Sequence, residues 1–258
     1  MKEYRTRELY GDFYENEHKD KPLLVVIGGS VAGIPTISKA LLEYFQANFH
    51  VLVLAYFGIG DLPEHLQRIP LEYFIHAVDY FKSKLGLGDD QVLMIGSSKG
   101  GELVLLLISQ YIHPGIAIAC VPSCYVWQGI PDGLKSILFP RSSWTFKGKD
   151  LPFVRFRYNR KIISGIRGQE YLPCYEKSIQ CNQNQQALIH LDHFKGSLLL
   201  LSAETDHFWP SKAMCAFLKD NPGNKIKHIT LNINGHHFLQ YQESGKEMMG
   251  FLNVQNLN

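Results

Sequence analysis

Short apolar runs, separated by longer amphipathic segments, recur along this chain. Six of them predict β-strands, at residues 22–28, 49–56, 91–96, 116–121, 196–203 and 226–233. Four of the six are nearly continuous hydrophobic runs without alternation, which is typical of strands buried on both faces of a parallel sheet. The pattern therefore indicates a parallel sheet that is covered by helices.

Several of the segments between these runs carry helical periodicity. One face of a helix over residues 71–84 is formed by apolar residues at the i, i+3, i+4, i+7 spacing, namely Leu71, Phe74, Ile75, Val78 and Phe81. Residues 37–46 and 210–219 show similar patterns. Strand–helix–strand alternation of this kind predicts the α/β class, with a doubly wound and mostly parallel sheet.

One connection between predicted strands, residues 122–195, is much longer than the others. It is weakly periodic and rich in Pro, Arg, Tyr and Trp. A structureless loop of that length is uncommon inside a compact domain. We therefore expect a single domain over residues 1–258, with a cap at about 122–195 that carries short elements of its own.

Composition supports a globular protein and excludes several classes. The chain has 258 residues, is 45% hydrophobic and 12% aromatic, and carries a net charge of +2. Because 26 Lys+Arg nearly balance 24 Asp+Glu, we expect no nucleic-acid partner. The most apolar run, residues 103–108, is far shorter than the ~20 residues of a membrane span, and the N-terminus lacks a signal-like apolar stretch.

The five cysteines form no CxxC spacing. An odd count without that spacing argues against a disulfide framework and against a zinc ribbon. We expect reduced, mostly buried thiols and a soluble protein, most simply of the cytoplasm. The sequence leaves the oligomeric state open.

The pentapeptide 96–100, Gly-Ser-Ser-Lys-Gly, is the sharpest local motif. It matches G-x-S-x-G, follows a predicted strand directly and precedes an apolar helical segment. This strand–turn–helix context is the one that a nucleophile elbow requires, with Ser98 as the nucleophile and the Lys99 N–H facing an oxyanion. The alternative is a tight turn with an incidental serine.

A serine nucleophile needs a general base that a carboxylate holds in place. Loops after the fifth and sixth predicted strands supply both types, in the order Ser, acid, His. We assign Asp206 as the acid, with Glu204 as the second choice, and Asp192 lies at the wrong end of its strand. We assign His236 as the base, with His237 as its main rival.

The loop after the first predicted strand, residues 28–33, is rich in glycine. We expect the N–H of Ser30 or Val31 there to be the second oxyanion donor. GGSVAG matches neither GxGxxG nor GxxxxGK[ST], so nucleotide binding is disfavoured. A metal site from His207, Asp206, His236 and His237 lacks HExxH or comparable spacing, and we expect no metal and no cofactor.

Several stretches together resemble the C-terminal catalytic domain of the acyl-CoA thioesterase / bile acid-CoA:amino acid N-acyltransferase family. The most specific are the Ser-Lys-Gly-Gly-Glu-Leu that begins at Ser98 and the Asp-His-x-Trp that begins at Asp206. The resemblance spans most of residues 20–240, over 52–81, 92–107, 151–161, 200–212 and 234–238.

This resemblance implies an α/β-hydrolase fold and a triad that acts on acyl thioesters. Carried over position by position, it also implies Ser98, Asp206 and His236 as nucleophile, acid and base. Members that act as N-acyltransferases are expected to carry cysteine at the nucleophile position. With serine at position 98, this chain resembles the hydrolase branch of the family.

The chain departs from the family in three places. Mammalian members carry a β-sandwich domain first, and only about twenty residues precede the first predicted strand here, so we expect that domain to be missing. The oxyanion loop of the family is rich in glycine, and this chain has Val31 and Ala32 within that loop. Because 22 residues follow His236, we expect a short final helix.

These features favour a hydrolase that cleaves a small-molecule acyl thioester or ester. The reaction would pass through an acyl-enzyme intermediate. An acyltransferase with an amine or alcohol acceptor, and a non-catalytic binding module, are the alternatives. The acyl chain would lie under cap aromatics, namely Trp127, Phe139, Trp144, Phe146, Phe153 and Phe156. The cap also carries a group of cations, namely Arg141, Arg155, Arg157, Arg160, Lys161 and Arg167. These residues would either attract a phosphate-bearing substrate such as CoA or form a solvated face of the cap.

Overall fold

The six predicted apolar runs form neighbouring strands of one sheet in the computed structural model, which describes residues 1–182, 184–220 and 225–255. All six predicted strands are confirmed. The strands are β1 (Lys2–Arg5), β2 (Tyr10–Tyr14), β3 (Leu23–Ile27), β4 (His50–Leu54), β5 (Ile69–Pro70), β6 (Val92–Ser97), β7 (Ile116–Cys120), β8 (Trp144–Phe146), β9 (Lys149–Asp150), β10 (Ser197–Thr205) and β11 (Lys225–Asn234).

Eight of these strands form one sheet in the order β1-β2-β4-β3-β6-β7-β10-β11. From β4 to β11 every neighbouring pair is parallel. Every residue of β3, β4 and β6 is buried, which is what their uninterrupted hydrophobicity requires. Because these strands are parallel, the carboxyl ends of β6, β10 and β11 all point the same way, and the loops that follow them can meet there.

An N-terminal hairpin, β1 and β2, extends the sheet and was not predicted. β2 pairs antiparallel with β4, and its burial alternates along the strand. The segment is charged and aromatic, and five residues of period-2 alternation are too short a signal to stand out. The sheet is therefore mixed at this edge and parallel elsewhere.

Helices cover both faces of the sheet, as the doubly wound prediction requires. α2, α3 and α7 pack on one face, whereas α1 and α8 pack on the other. The predicted helices are confirmed as α1, α2, α3 and α7. The helices are α1 (Lys39–Asn48), α2 (Leu71–Leu85), α3 (Lys99–Gln110), α4 (Leu134–Leu138), α5 (Arg160–Arg167), α6 (Leu172–Gln180), α7 (Ser211–Lys219) and α8 (Gln242–Gln255).

The long connection, residues 122–195, carries only short elements: α4, β8, β9, α5 and α6. β8 pairs with β5, which lies outside the connection, and so ties it to the loop before α2. Isolated bridges join Trp127 to Val154 and Gln128 to Ser142. The side chains of Trp127 and Trp144 are fully buried beneath this layer.

The final helix, α8, is longer than the sequence suggested, with 14 residues. Met248 and Leu252 are completely buried against α1 and the sheet, so the helix is part of the core. The Tyr44 hydroxyl of α1 donates a hydrogen bond to Asn253 Oδ1 at 2.5 Å. In the described parts of the chain, no helix has the length and apolarity to cross a membrane.

The buried face of α8 generates a stability prediction. Leu252→Ala should lower the free energy of unfolding by about 2–5 kcal/mol, because it removes packed methyl groups and leaves a cavity. Val254→Ala in the same helix should change it by no more than about 0.5 kcal/mol, because Val254 is 61% exposed. Urea denaturation of the two variants measures both values. Equal, small losses would mean that α8 does not belong to the folded core.

Candidate active site

Ser98 lies in a strained turn between β6 and α3. Its backbone has φ 57° and ψ −119°, a left-handed φ that non-glycine residues seldom adopt. Such strain persists only where the surrounding structure enforces it, and it is common at functional sites. The turn projects the Ser98 side chain away from the sheet at the start of α3, and residues 96–100 are called the elbow below.

Two glycines make the elbow possible. A Cβ at Gly96 would overlap the carbonyl oxygen of Gly100, and a Cβ at Gly100 would overlap the carbonyl oxygen of Gly28 and lie 2.6 Å from that of Ile27. Each obstacle is backbone, which cannot move aside as a flexible side chain can. The elbow therefore needs glycine at both positions, so that β3, β6 and α3 can meet.

Ser98, His236 and Asp206 form a continuous chain of hydrogen bonds. His236 Nε2 lies 2.6 Å from Ser98 Oγ, and His236 Nδ1 lies 2.9 and 3.0 Å from the two carboxylate oxygens of Asp206. With a proton on Nδ1 donated to the carboxylate, Nε2 is free to accept the Ser98 hydroxyl proton. Ser98, His236 and Asp206 are all buried, so these bonds are shielded from water.

The loop that carries Asp206 also holds the imidazole from its faces. Asp206 Oδ1 accepts a hydrogen bond from the Phe208 N–H at 3.0 Å, which fixes the carboxylate. The Phe208 ring stacks on His236 with centroids 4.6 Å apart, and Trp209 meets it edge-on at 5.7 Å. These contacts restrict the ring to the orientation that reaches Ser98.

The rival residues take no part in this chain of hydrogen bonds. Glu204 is exposed and pairs with Lys212 Nζ at 2.6 Å, and within the described residues its carboxylate has no hydrogen bond to an imidazole. His237 is exposed and borders the open space beside Ser98, whereas its neighbour His236 is buried. Asp192 lies before β10, at the opposite end of that strand from Asp206. His207, a member of the disfavoured metal set, is exposed.

The glycine-rich loop after β3 lies directly against the nucleophile. A Cβ at Gly29 would come within 3.0 Å of Ser98 Cβ, so a side chain there would compete with the nucleophile for space. The buried Tyr56 hydroxyl donates a hydrogen bond to the Gly29 carbonyl oxygen at 2.6 Å. Ser30 borders the space around Ser98 on both sides, and Val31, which is 74% exposed, borders it on one side only.

A buried ion pair lies next to the elbow, and the sequence analysis did not predict it. Lys99 Nζ lies 2.9 and 2.7 Å from the two carboxylate oxygens of Glu102, one turn further along α3. Glu102 Oε1 also accepts hydrogen bonds from the Trp127 N–H at 3.2 Å and from Trp144 Nε1 at 2.8 Å. The i, i+3 spacing of Lys and Glu was visible, but their burial depends on residues 122–195 folding over them.

Burial acts on both charges of this pair. It lowers the pKa of Lys99 from its usual value, and the nearby Glu102 carboxylate opposes that shift. Burial also raises the pKa of Glu102, against the opposing influence of Lys99 and Trp144. Each charge is therefore retained through the other, so the loss of either partner leaves an uncompensated buried group.

The aromatic residues of 122–195 divide into core and site. Trp127 and Trp144 are core residues, and Phe139 is 70% exposed. Phe146 and Phe153 pack against the core and do not border Ser98. Phe156 does border the space around Ser98, and so does Tyr175, which the sequence did not single out.

The basic residues of 122–195 differ in their partners. Arg141 Nε and its Nη2 lie 2.7 and 2.8 Å from the Asp150 carboxylate, and this hydrogen bonding lowers the pKa of Asp150 to about 2. Arg141 thus has a carboxylate partner, which it shares with Arg68. The other five cations of the predicted set are exposed: Arg155, Arg157, Arg160, Lys161 and Arg167.

Sequence comparison relates the chain to enzymes of acyl-coenzyme A metabolism. The family model described as BAAT / Acyl-CoA thioester hydrolase C terminal matches residues 69–240. Homo sapiens acyl-coenzyme A thioesterase 6 is 32% identical over 191 residues, which cover 74% of this chain and 42% of that protein. Homo sapiens acyl-coenzyme A thioesterase 1 is 27% identical over 206 residues, with 76% and 46% covered.

A third relative has a different printed activity. Mus musculus acyl-coenzyme A amino acid N-acyltransferase 1 is 25% identical over 191 residues, which cover 74% of this chain and 41% of that protein. The chain thus spans less than half the length of each of these three relatives.

Solved structures share the fold. A thermophilic esterase from Thermogutta terrifontis superposes with a TM-score of 0.58 at 15% identity, covering 95% of this chain and 93% of the esterase. MenH from S. aureus gives a TM-score of 0.55 at 15% identity, with 95% and 98% covered. The fold is therefore that of the α/β-hydrolases, as the sequence resemblance implied.

The buried ion pair generates a prediction for stability. Glu102→Gln should lower the free energy of unfolding by about 3–5 kcal/mol at pH 7, because the Lys99 ammonium stays buried without a carboxylate. Glu204→Gln, which breaks an exposed pair, should cost no more than about 1 kcal/mol. Urea denaturation at pH 7 measures both losses.

The same variant should show a distinct pH dependence. Without Glu102, the pKa of Lys99 falls further, so the unfolded state binds more protons and the free energy of unfolding rises with pH. The deficit of Glu102→Gln should therefore shrink as the pH approaches about 10.4, the usual pKa of lysine. A deficit that stays constant between pH 7 and pH 9 would contradict this account of the pair.

Proposed function

Because the chain belongs to the BAAT / acyl-CoA thioester hydrolase C-terminal family, we propose that it is a serine hydrolase of acyl thioesters. The observation that carries the proposal is the buried chain of hydrogen bonds from Ser98 through His236 to Asp206 at a strained elbow. Nucleophile, base and orienting carboxylate are the three groups that acyl transfer to serine needs.

In the first half of the reaction, Ser98 Oγ attacks the thioester carbonyl carbon while His236 Nε2 takes the hydroxyl proton. Asp206 accepts the Nδ1–H hydrogen bond and stabilises the imidazolium. The Lys99 N–H, with that of Ser30 or Val31, donates to the oxyanion. The carbon–sulfur bond then breaks, the thiol leaves with the proton from His236, and the acyl group remains on Ser98 as an ester.

In the second half, water replaces the thiol. His236 takes a proton from water, whose oxygen attacks the ester carbonyl carbon. The bond to Ser98 Oγ breaks, the serine oxygen recovers the proton from His236, and the carboxylic acid departs. No cofactor takes part in either half of this scheme.

Coenzyme A is the leaving group that we propose. The relatives are named acyl-coenzyme A thioesterases, and exposed basic residues on 122–195, among them Arg155, Arg157 and Arg160, would attract a phosphate-bearing substrate. We also propose that residues 1–258 act as one domain with 122–195 as its cap. The five free thiols support a reducing compartment, most simply the cytoplasm.

Acyl transfer to an amine is a second candidate function. The relative named as an amino acid N-acyltransferase favours it, because the same acyl-enzyme would form before an amine replaces water. Hydrolysis remains our first proposal, since an oxygen ester on serine is attacked readily by water. Product analysis with and without added glycine separates the two reactions.

The assignment of nucleophile and base generates a prediction for activity. Ser98→Ala and His236→Ala should each lower kcat for thioester hydrolysis by at least about 10³-fold, because they act in one chain of proton transfer. His237→Ala should retain activity within a few-fold, because His237 is exposed and outside that chain. Release of free thiol from acetyl-CoA, followed with a thiol reagent, measures all three rates.

A serine-directed fluorophosphonate gives a second readout that needs no substrate. The wild type should be labelled on Ser98, and Ser98→Ala should not be labelled. An unlabelled wild type, or equal labelling of Ser98→Ala, would refute the nucleophile. Inactivity of His237→Ala with full activity of His236→Ala would instead reassign the base.

A further inference from the structure

Two hollows meet at Ser98. Both are bordered by Ser30, Ser98, Phe208 and His236. The cap-side hollow continues beneath 122–195 and is completed by Lys99, Gln128, Ile130, Phe156, Tyr175 and Trp209. The open-side hollow continues along the loop after β3 and includes Val31, Ile34 and Leu239. A thioester bound at Ser98 has two arms, which these hollows can receive separately.

The two hollows differ greatly in size. The cap-side hollow has a volume of about 20 Å³, whereas the open-side hollow has about 190 Å³. A hollow of roughly 10–15 Å³ is enough for one water molecule. The cap-side hollow therefore accepts about one water-sized group, which is also the size of a methyl group.

The aromatic walls of the cap-side hollow are held on several sides. Phe156 stacks on Trp127 with centroids 5.6 Å apart, and Tyr175 meets Trp127 edge-on at 4.7 Å. Tyr175 also contacts Trp209 edge-on at 5.4 Å. These rings brace one another, so one of them cannot turn aside without disturbing the next.

Hydrogen bonds hold the walls and the Trp127 ring behind them. The Phe156 N–H donates to Gln128 Oε1 at 2.7 Å, and Trp209 Nε1 donates to the Val121 carbonyl oxygen at 3.0 Å. Trp127 Nε1 donates to Ser123 Oγ at 2.7 Å. Enlarging the hollow would break buried hydrogen bonds as well as ring contacts, which is costly.

We propose that the cap-side hollow is the acyl subsite and that it restricts the enzyme to short acyl groups, acetyl or propionyl. This inference rests on the proposed function. A coenzyme A leaving group cannot pass through a space for one methyl group, so it takes the open side and leaves the cap side to the acyl arm. Phe156 is the residue to which we assign the limit, because its ring lines the hollow and is braced from behind by Trp127 and Tyr175.

A chain-length series on the wild type tests the subsite. Acyl-CoAs from acetyl to dodecanoyl should give the highest kcat/KM for acetyl or propionyl, with a fall of at least about 10-fold by hexanoyl, since misfit of one methylene in a pocket is worth 10-fold or more. Replacing coenzyme A by the smaller N-acetylcysteamine should leave this acyl preference unchanged, because the thiol occupies the other hollow.

Enlarging the hollow should move the preference. Phe156→Ala should raise the ratio of hexanoyl to acetyl kcat/KM by about 10-fold or more. Phe153→Ala, three residues earlier, is the matched control and should leave the ratio unchanged, because Phe153 does not border the hollow. Ile130→Ala at the half-exposed rim gives a milder shift in the same direction, should Phe156→Ala not fold.

The outcomes separate this inference from the function on which it rests. Equal kcat/KM from acetyl to dodecanoyl, with Ser98 labelled by fluorophosphonate, overturns the subsite and leaves the hydrolase. A Phe156→Ala ratio no different from that of Phe153→Ala overturns the role of Phe156. Absence of thioester turnover at every chain length overturns both the function and the subsite.

Discussion

The close approach of β3 to the start of α3 is the constraint on which the site depends. A Cβ at position 100 would overlap the backbone of β3, and one at position 96 would overlap the backbone of α3. This approach brings the glycine-rich loop against Ser98, whose backbone adopts a left-handed φ. Nucleophile and oxyanion loop are thus positioned by backbone contacts, which substitutions elsewhere in the protein cannot easily relax.

A second set of contacts joins the start of α3 to residues 122–195. Glu102, which pairs with Lys99 on the first turn of α3, accepts hydrogen bonds from the Trp127 N–H and from the Trp144 indole. Trp127 in turn braces Phe156 and Tyr175, which border the cap-side hollow. The same short helix turn therefore carries the nucleophile, the oxyanion donor that we propose and the anchor for the acyl subsite that we propose.

Sequence reasoning succeeded where the signal is local. Buried parallel strands are continuous apolar runs, and the elbow is one strand–turn–helix motif, so both were predicted from neighbouring residues. Chain order gave Asp206 and His236, but only packing separates buried His236 from exposed His237. The β2 strand was missed because its alternation is short, and Glu102 because its partners lie 25 and 42 residues away. The size of the cap-side hollow likewise depends on rings from distant segments.

The covalent intermediate is the most direct test of the central claim, that the elbow makes Ser98 an acyl-accepting nucleophile. Protein mixed with acetyl-CoA and quenched with acid during turnover can be digested and mapped by mass spectrometry. We expect one acetyl group on the peptide that contains Ser98, and its loss when substrate is exhausted. Turnover with no acylated peptide, or with the acetyl group on another residue, would contradict the account.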